Sequence, residues 1–568
     1  MSSDRAGFEI HAYRGENWIL EETRETEAMA RQVAKTIINK PRVGGVRIIK
    51  TWRRGDGQVT ENTIHEEMRA ISEPQVAIVP IESAPMCQTL DDVYKLESRT
   101  TVGRLLRKYV EQVFLTPTEL MHNHKALKKF QDADSLFPSA VDRVATVQVR
   151  GTNINSRERR DELFRWVSQA SERARRVEEK GGLPELKGND FAAAYKRVKN
   201  AAPAADEAAY NALVMLCRDL VGYRDWLAKL ARIAELINPD GDEEVLALFD
   251  KVMADLVGIP AAFQDILGQY PNLGQALVGI IELYDTGRAG KKSDAEEQIA
   301  KIGPLIAAGK MRETRAALIE RLVRQLGSSQ PLSKNDPTKE RDVVKDVVAK
   351  LFRADGILGG PDAAAAMTRR FVYLQEGGGM TALRNSVGGV VSTVKDMLDR
   401  ILYLLELTKS ELGKDLNEAI TTQLRNLIEV KDIAALAPGA TDSTSKMLGA
   451  KKVFETLKAD TGLSAEERQR LLARIDTLLA EFIQREGIIE KLDNPSAPLR
   501  DRAMRLVEFC GSGVLPDGRA LSTARERVVS HLRQPNFDRI FIEGIGEPAK
   551  CAEVLRDFHT RLVRAGFR

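Results

Sequence analysis

Apolar and polar residues alternate one by one over the first part of the chain, then switch to a rhythm of three to four. "FEIHAYR" and "WILEETR" flank Gly15-Glu16-Asn17 and predict a β-hairpin. "ETEAMARQVAKTIINK" sets Ala30, Val33, Ala34, Ile37 and Ile38 on one helical face, with Pro41 and Gly44-Gly45 as the stop. "VRIIKTWRRGDGQVTENTIHEE" predicts a second hairpin that turns at Asp56-Gly57. The order ββαββ gives a small α+β domain over residues 1–73, with one helix against one face of an antiparallel sheet. Residues 74–90 follow. Pro74, Pro80 and Pro85 forbid a central strand there and mark a linker.

Beyond about residue 90 the apolar spacing is helical throughout. Clear examples are 156–180, 205–236, 242–257, 273–286, 381–411, 465–492, 521–534 and 547–564. In the sixth of these, Ser464 and Glu467 form a capping box ahead of a stripe made by Leu471, Leu472, Ile475, Leu478, Leu479, Phe482 and Ile483. No convincing strand follows residue 90. The expected fold is therefore mainly α, a large multi-helix bundle or irregular helical stack behind the small N-terminal domain. Loops at 326–338 and 434–445 divide it into helical regions 91–330, 331–440 and 441–568.

Two stretches share a pattern, "GILGGPDAAAAMTRRFVYL" from Gly356 and "GVLPDGRALSTARERVVSHL" from Gly513. No fixed period links them, so a regular repeat array is not supported. In each, glycine lies just past an apolar helix, where a positive φ is commonly required. Leu358 and Leu515 are then expected to reach back to the preceding helix.

Composition narrows the class. With 43% hydrophobic and 29% charged residues the chain is globular, and with only 5% aromatics its apolar share rests on Ala, Leu, Val and Ile, which suits helix-on-helix packing. A net charge of +3 gives no global case for a polyanionic partner. Cys87, Cys217, Cys510 and Cys551 are scattered, with no CxxC, and point to a reducing compartment. With no signal-peptide pattern and no apolar run of membrane-spanning length, the expected location is the cytoplasm.

Candidate chemistry is sparse. His122-Asn123-His124, with Glu119 one turn earlier, offers two imidazoles that could chelate. A third ligand is missing, so no metal is assigned and the pair is expected at a solvent-facing helix or loop start. "GRAGKKS" (287–293) resembles a phosphate loop but fails it, because Lys292 intervenes before Ser293 and Asp285 occupies a glycine position. "EGGGMTALRNSVGG" (376–389) reads as a helix joint rather than an anion nest. Cys510 and Cys551 sit among apolar neighbours and are expected in the core. No catalytic or cofactor-binding residue is assigned.

Two basic features remain. From Ser496 onward there are 13 Lys and Arg, 12 of them Arg, against nine acids. Helix 521–534 turns Val528, Val529 and Leu532 inward and is expected to leave Arg525 and Arg533 outside. In the N-terminal domain, "KTWRR" offers Trp52, Arg53 and Arg54. These five residues are the candidate partner-binding set. The expected function is a non-catalytic interaction or scaffold protein that binds a protein partner. The alternatives are a nucleic-acid-associated regulator using the Arg-rich face, and an enzyme whose site is assembled from distant helices.

Overall fold

Four alternating segments pair as an antiparallel sheet in the order β2-β1-β3-β4, made of β1 (Ala6–Arg14), β2 (Asn17–Arg24), β3 (Gly45–Arg53) and β4 (Val59–Met68). This comes from a computed structural model that describes residues 6–14, 17–38, 43, 45–53, 59–68, 77–133, 135–186, 188–290, 292–354, 356–375 and 378–567. The expected turns at Gly15-Glu16 and Asp56-Gly57, the stop at Pro41 and Gly44, Pro74 of the linker, and Arg54 lie outside those residues. Helix α1 (Glu27–Ile37) starts at Thr26, whose hydroxyl accepts from the Met29 N–H. Its apolar stripe, Ala30, Ala34 and Ile37, meets the period-two set Phe8, Ile10, Ala12, Val46 and Ile48 in one small core.

Both outer strands carry a bulge. Glu21 of β2 is skipped where the register shifts between Ile10 and His11. Ile64 of β4 is skipped between Ile48 and Ile49, and packs partly buried against the core. Bulges and glutamates (Glu21 and Glu22 on β2; Glu61, Glu66 and Glu67 on β4) are the features that blunt an edge against strand addition. The sheet edges are therefore poorly suited to capture an extended peptide.

Residues Met1–Val79 with Ala133–Ala140 make one compact unit, and Pro80–Asp132 with Val141–Arg568 make another. The chain has 29 α-helical segments among the described residues, and none is long and apolar enough to cross a membrane. Helices Ser156–Lys180 and Leu273–Thr286 lie where the spacing predicts. Three expected long helices are each broken in two, the 465–492 segment at Gly487 into Ala465–Arg485 and Ile488–Leu492. The 205–236 segment divides into Ala205–Leu220 and Trp226–Leu236, with Asp225 capping the restart through the Ala228 N–H. The 381–411 segment divides into Gly379–Thr393 and Met397–Lys409, with Asp396 capping the Leu398 and Asp399 N–H groups. Helices Leu136–Gln148, Pro260–Leu267 and Phe537–Phe541 were not expected from the spacing.

Packing runs from one helix to the next. Glu243–Gly258 packs on Arg312–Leu326, which packs on Gly360–Tyr373, then Met397–Lys409, then Ser443–Ala459 and Ala465–Arg485. Arg519–Leu532, Leu499–Gly511 and Pro548–Arg564 complete the series. This is a helical stack. One continuous apolar core joins side chains from Phe191 to Ala565.

The paired Gly-Leu segments are turns in that core. β5 (Phe352–Arg353) and β6 (Gly356–Ile357) form a two-stranded ribbon, too short to leave an alternating pattern in the sequence. Leu358 N–H donates to Leu351 C=O at 2.8 Å, and Gly359 takes φ +85° at the head of the next helix. Gly513 takes φ +70°. Leu358 and Leu515 are buried in the main core, as the sequence predicts for a structural turn.

Candidate interaction surface

Charged side chains fall into two sets, one inside the stack and one at its C-terminal end. Inside, Arg99 is fully buried and donates Nε to Asp255 Oδ1 at 3.0 Å and Nη2 to Glu313 Oε2 at 2.7 Å. Its remaining donors go to the carbonyls of Tyr94 and Lys251. Asp255 Oδ2 accepts from the Thr118 N–H at 2.7 Å, and Lys251 pairs with Glu313 at 2.8 Å. Asp250 accepts from the Glu313 and Thr314 N–H groups and so caps the Arg312–Leu326 helix, while burial pushes its carboxyl up from the ordinary range. Nearby, Glu119 and Lys229 are both fully buried and paired, and Lys229 Nζ also donates to the Leu220 carbonyl at 2.8 Å. Burial pushes Glu119 up as well. Each group spends its hydrogen-bonding capacity on a neighbouring helix, so this network holds segments together. Its ion pairs join residues 62 to 214 positions apart in sequence, which left no local signal.

The HxH motif is placed differently from expectation. Helix Pro117–His122 stops at Asn123, whose backbone is extended at φ −117° and ψ 110°, and His124–Gln131 restarts with Asn123 capping the Ala126 N–H. His122 is buried rather than solvent-facing, with its ring centroid 5.1 Å from Tyr94 and 5.0 Å from Tyr210. Its Nδ1 lies 2.8 Å from the Thr118 carbonyl, and burial pushes its imidazole down to about 3. His124 is half-buried, with Nδ1 3.4 Å from Ser171 Oγ. Both histidines line a small pocket with Ala174, Glu178, Leu183, Val214 and Arg218. Glu119 takes no part, being committed to Lys229. Among the described residues no group of three or more His, Cys, Asp or Glu side chains could hold a metal ion.

The glycine-rich and thiol motifs serve packing. In "GRAGKKS", a side chain on Gly290 would meet the Leu267 carbonyl oxygen at 1.8 Å, and one on Gly303 would meet that of Gly287 at 1.7 Å. Ser293 Oγ donates to the Asp265 and Ile266 carbonyls. These glycines permit close backbone approach. Cys87, Cys217 and Cys510 are buried free thiols, and burial pushes Cys510 up to about 11; Cys551 is half-exposed.

At the C-terminal end the arginines divide by role. Asp493 is buried, accepts from Arg502 Nε at 2.7 Å and His531 Nε2 at 2.8 Å, and pairs as an ion with Arg527, whose Nε lies 2.7 Å away. Burial alone would raise this carboxyl, but the hydrogen bonds from Arg502 and His531 outweigh it and hold the group below the usual range. Arg525, expected on an outer face, is half-buried and donates Nη2 to the Ala565 carbonyl at 3.0 Å, tying down the chain end. Arg561 pairs with Glu508 and Asp557. Arg533, by contrast, is exposed, as are Arg539, Arg556 and Arg564, and none of the four has an acidic partner among the described residues. The exposed apolar side chains Ile540 and Val563 are chain neighbours of Arg539 and Arg564, and Val563 is 70% exposed. The rings of Phe537, Phe541 and Phe558 hold their helices together, with Phe541 and Phe558 centroids 4.5 Å apart.

In the N-terminal unit, Trp52 is about half-exposed at the end of β3, with Lys50 Nζ 5.5 Å from its ring centre. Arg53 closes that strand. Trp18 is half-buried, under the Arg47 guanidinium at 4.6 Å and beside Tyr13 at 5.1 Å. Comparison with protein-family models, curated proteins and solved structures finds no match for this chain.

Proposed function

We propose that this chain is a non-catalytic cytoplasmic interaction or scaffold protein that binds a protein partner through its helical surfaces, chiefly the C-terminal face. The observation that carries this reading is the division of the arginines. Arg502, Arg525, Arg527 and Arg561 are used within the stack, while Arg533, Arg539, Arg556 and Arg564 stand exposed without an acidic partner among the described residues, beside Ile540 and Val563. Arginine with an apolar neighbour is the composition favoured at the centre of protein interfaces. Trp52 and Arg53 are a secondary contact in the same proposal.

The test is a charge reversal at Arg533, Arg539, Arg556 and Arg564 in the full chain, with helical content checked by circular dichroism. Captured from lysate of its own cells, the wild type should retain a discrete protein that survives nuclease treatment, and the variant should lose it. Retention that nuclease abolishes, or that falls steeply with salt, would assign the face to nucleic acid instead.

A further inference from the structure

Four arginines from three helices gather around one glutamate, Glu320. Arg104 comes from Leu96–Leu105, Arg107 from Arg107–Val113, and Arg321 and Arg324 from Arg312–Leu326. Arg104 and Arg324 both bond to Oε1 of Glu320, the second at 3.2 Å, so two guanidinium groups share one oxygen. Arg107 pairs with Glu111 at 3.2 Å. Arg321 has no carboxylate partner among the described residues. Four cations thus face two carboxylates.

Arg321 is the unusual member, being only 6% exposed. Its Nη1 donates to the Val257 carbonyl at 2.7 Å, at the end of the helix Glu243–Gly258, and its guanidinium lies over the Phe263 ring at 4.2 Å. These neighbours favour a cation but bring no full negative charge. Its Nε–H is buried with no acceptor, and so is that of Arg104. A buried donor left in this way forfeits its hydration without replacement. The cations also lie close enough to repel one another. Burial, Arg324 and Arg107 push the Arg321 guanidinium down to about 10, opposed by Glu320. Partial burial, Arg104 and Arg107 push Arg324 down as well, opposed again by Glu320 alone.

We propose that Arg104, Arg107, Arg321 and Arg324 bind a phosphate dianion, either free or carried as a phosphomonoester. Its charge of about −1.5 to −2 at pH 7 matches the excess of positive charge, and its oxygens suit the guanidinium fork. A single carboxylate brings less charge, and a nucleic-acid strand needs a basic track rather than one cluster. Arg107 and Arg324 are exposed and Arg104 is half-buried, so the cluster opens to solvent. With the anion bound, Glu320 changes from shared counterion to competitor. The site lies apart in sequence from the C-terminal face and does not depend on the interaction reading above.

The test uses the full chain in low-salt, phosphate-free chloride buffer, titrated by calorimetry with inorganic phosphate and, separately, with a short neutral peptide carrying one phosphoserine. One saturable equivalent is expected, with a melting temperature that rises with ligand. Equal affinity for the two probes identifies free phosphate as the source, and tighter binding of the peptide identifies a phosphorylated protein. Arg107→Gln and Arg324→Gln, both at exposed positions, should keep the helical circular dichroism and each weaken binding about 10-fold. Glu320→Gln should instead tighten binding about 10-fold, because it removes a like charge from beside the dianion. A purely structural ion pair gives no such gain. Arg564→Gln, on the C-terminal face, should change nothing. No saturable binding below about 10 mM, affinity unchanged in the Arg107→Gln, Arg324→Gln double variant, or weaker binding in Glu320→Gln overturns the proposal.

Discussion

Lys229→Met removes the cation that neutralises Glu119 inside the stack. Both side chains are fully buried, and the other Glu119 oxygen accepts from the Thr116 N–H at 2.8 Å. Burial already holds Glu119 above its ordinary range with Lys229 in place, so without the lysine the carboxyl takes up a proton on folding. The cost follows from linkage. In the unfolded chain the glutamate titrates near 4.3, and each pH unit above that costs about 1.36 kcal/mol to keep it neutral, which makes roughly 3.7 kcal/mol at pH 7 and about 1 kcal/mol at pH 5. The lost Lys229 bond to the Leu220 carbonyl adds about 1 kcal/mol at either pH. The sign is that of a raised carboxyl: the folded form binds more protons than the unfolded one, so stability falls as pH rises. Chemical denaturation followed by circular dichroism at pH 5, 6 and 7 should show the variant about 4–5 kcal/mol below wild type at pH 7, and recovering by more than half at pH 5. Glu119→Gln combined with Lys229→Met should remove that dependence. An equal deficit at both pH values, or a deficit under 1 kcal/mol at pH 7, refutes the buried pair.

Asp493→Asn should destabilise the C-terminal helices by about 2 kcal/mol, read from the same denaturation experiment, since Arg502, Arg527 and His531 lose a charged partner. Because Asp493 is held below its ordinary value, wild-type stability from this site is present above about pH 4 and is lost as pH falls below it. Leu358→Ala and Leu515→Ala should each cost roughly 2–5 kcal/mol, as buried leucine truncations do, and wild-type melting of either would mean an exposed turn. Arg525→Ala should cost about 1 kcal/mol through the lost bond to Ala565, more than an outward-facing arginine would. Thiol titration of the native protein should modify Cys551 first, with Cys217 and Cys510 reacting only on unfolding; rapid modification of Cys217 would contradict its burial.

What the sequence reveals here depends on whether a signal is local. The ββαββ order, the Ser156–Lys180 helix and the inward Leu358 and Leu515 are written in spacing and turn residues a few positions apart, and they are found in the structure. The bulges at Glu21 and Ile64 are not, because a register shift depends on the partner strand. Arg99 looks like any helical arginine until Asp255 and Glu313 meet it from distant helices. The C-terminal arginine excess is visible in composition, but its division into Asp493-bound and exposed members depends on one buried carboxylate upstream. The HxH motif is legible as a motif. Its burial follows from packing against Tyr94 and Tyr210, which no spacing near residue 122 announces.

Site-specific photo-cross-linking reports most directly on whether the C-terminal face binds a protein. A photoreactive amino acid at Val563, which is 70% exposed, is compared with the same group at Tyr373, 52% exposed on a helix in the middle of the stack. Irradiation in the native host should give a discrete protein adduct at 563 that is missing at 373 and is lost on charge reversal of Arg556 and Arg564. Adducts to nucleic acid, identical adducts at both positions, or none at 563 would contradict a protein-binding role for this face.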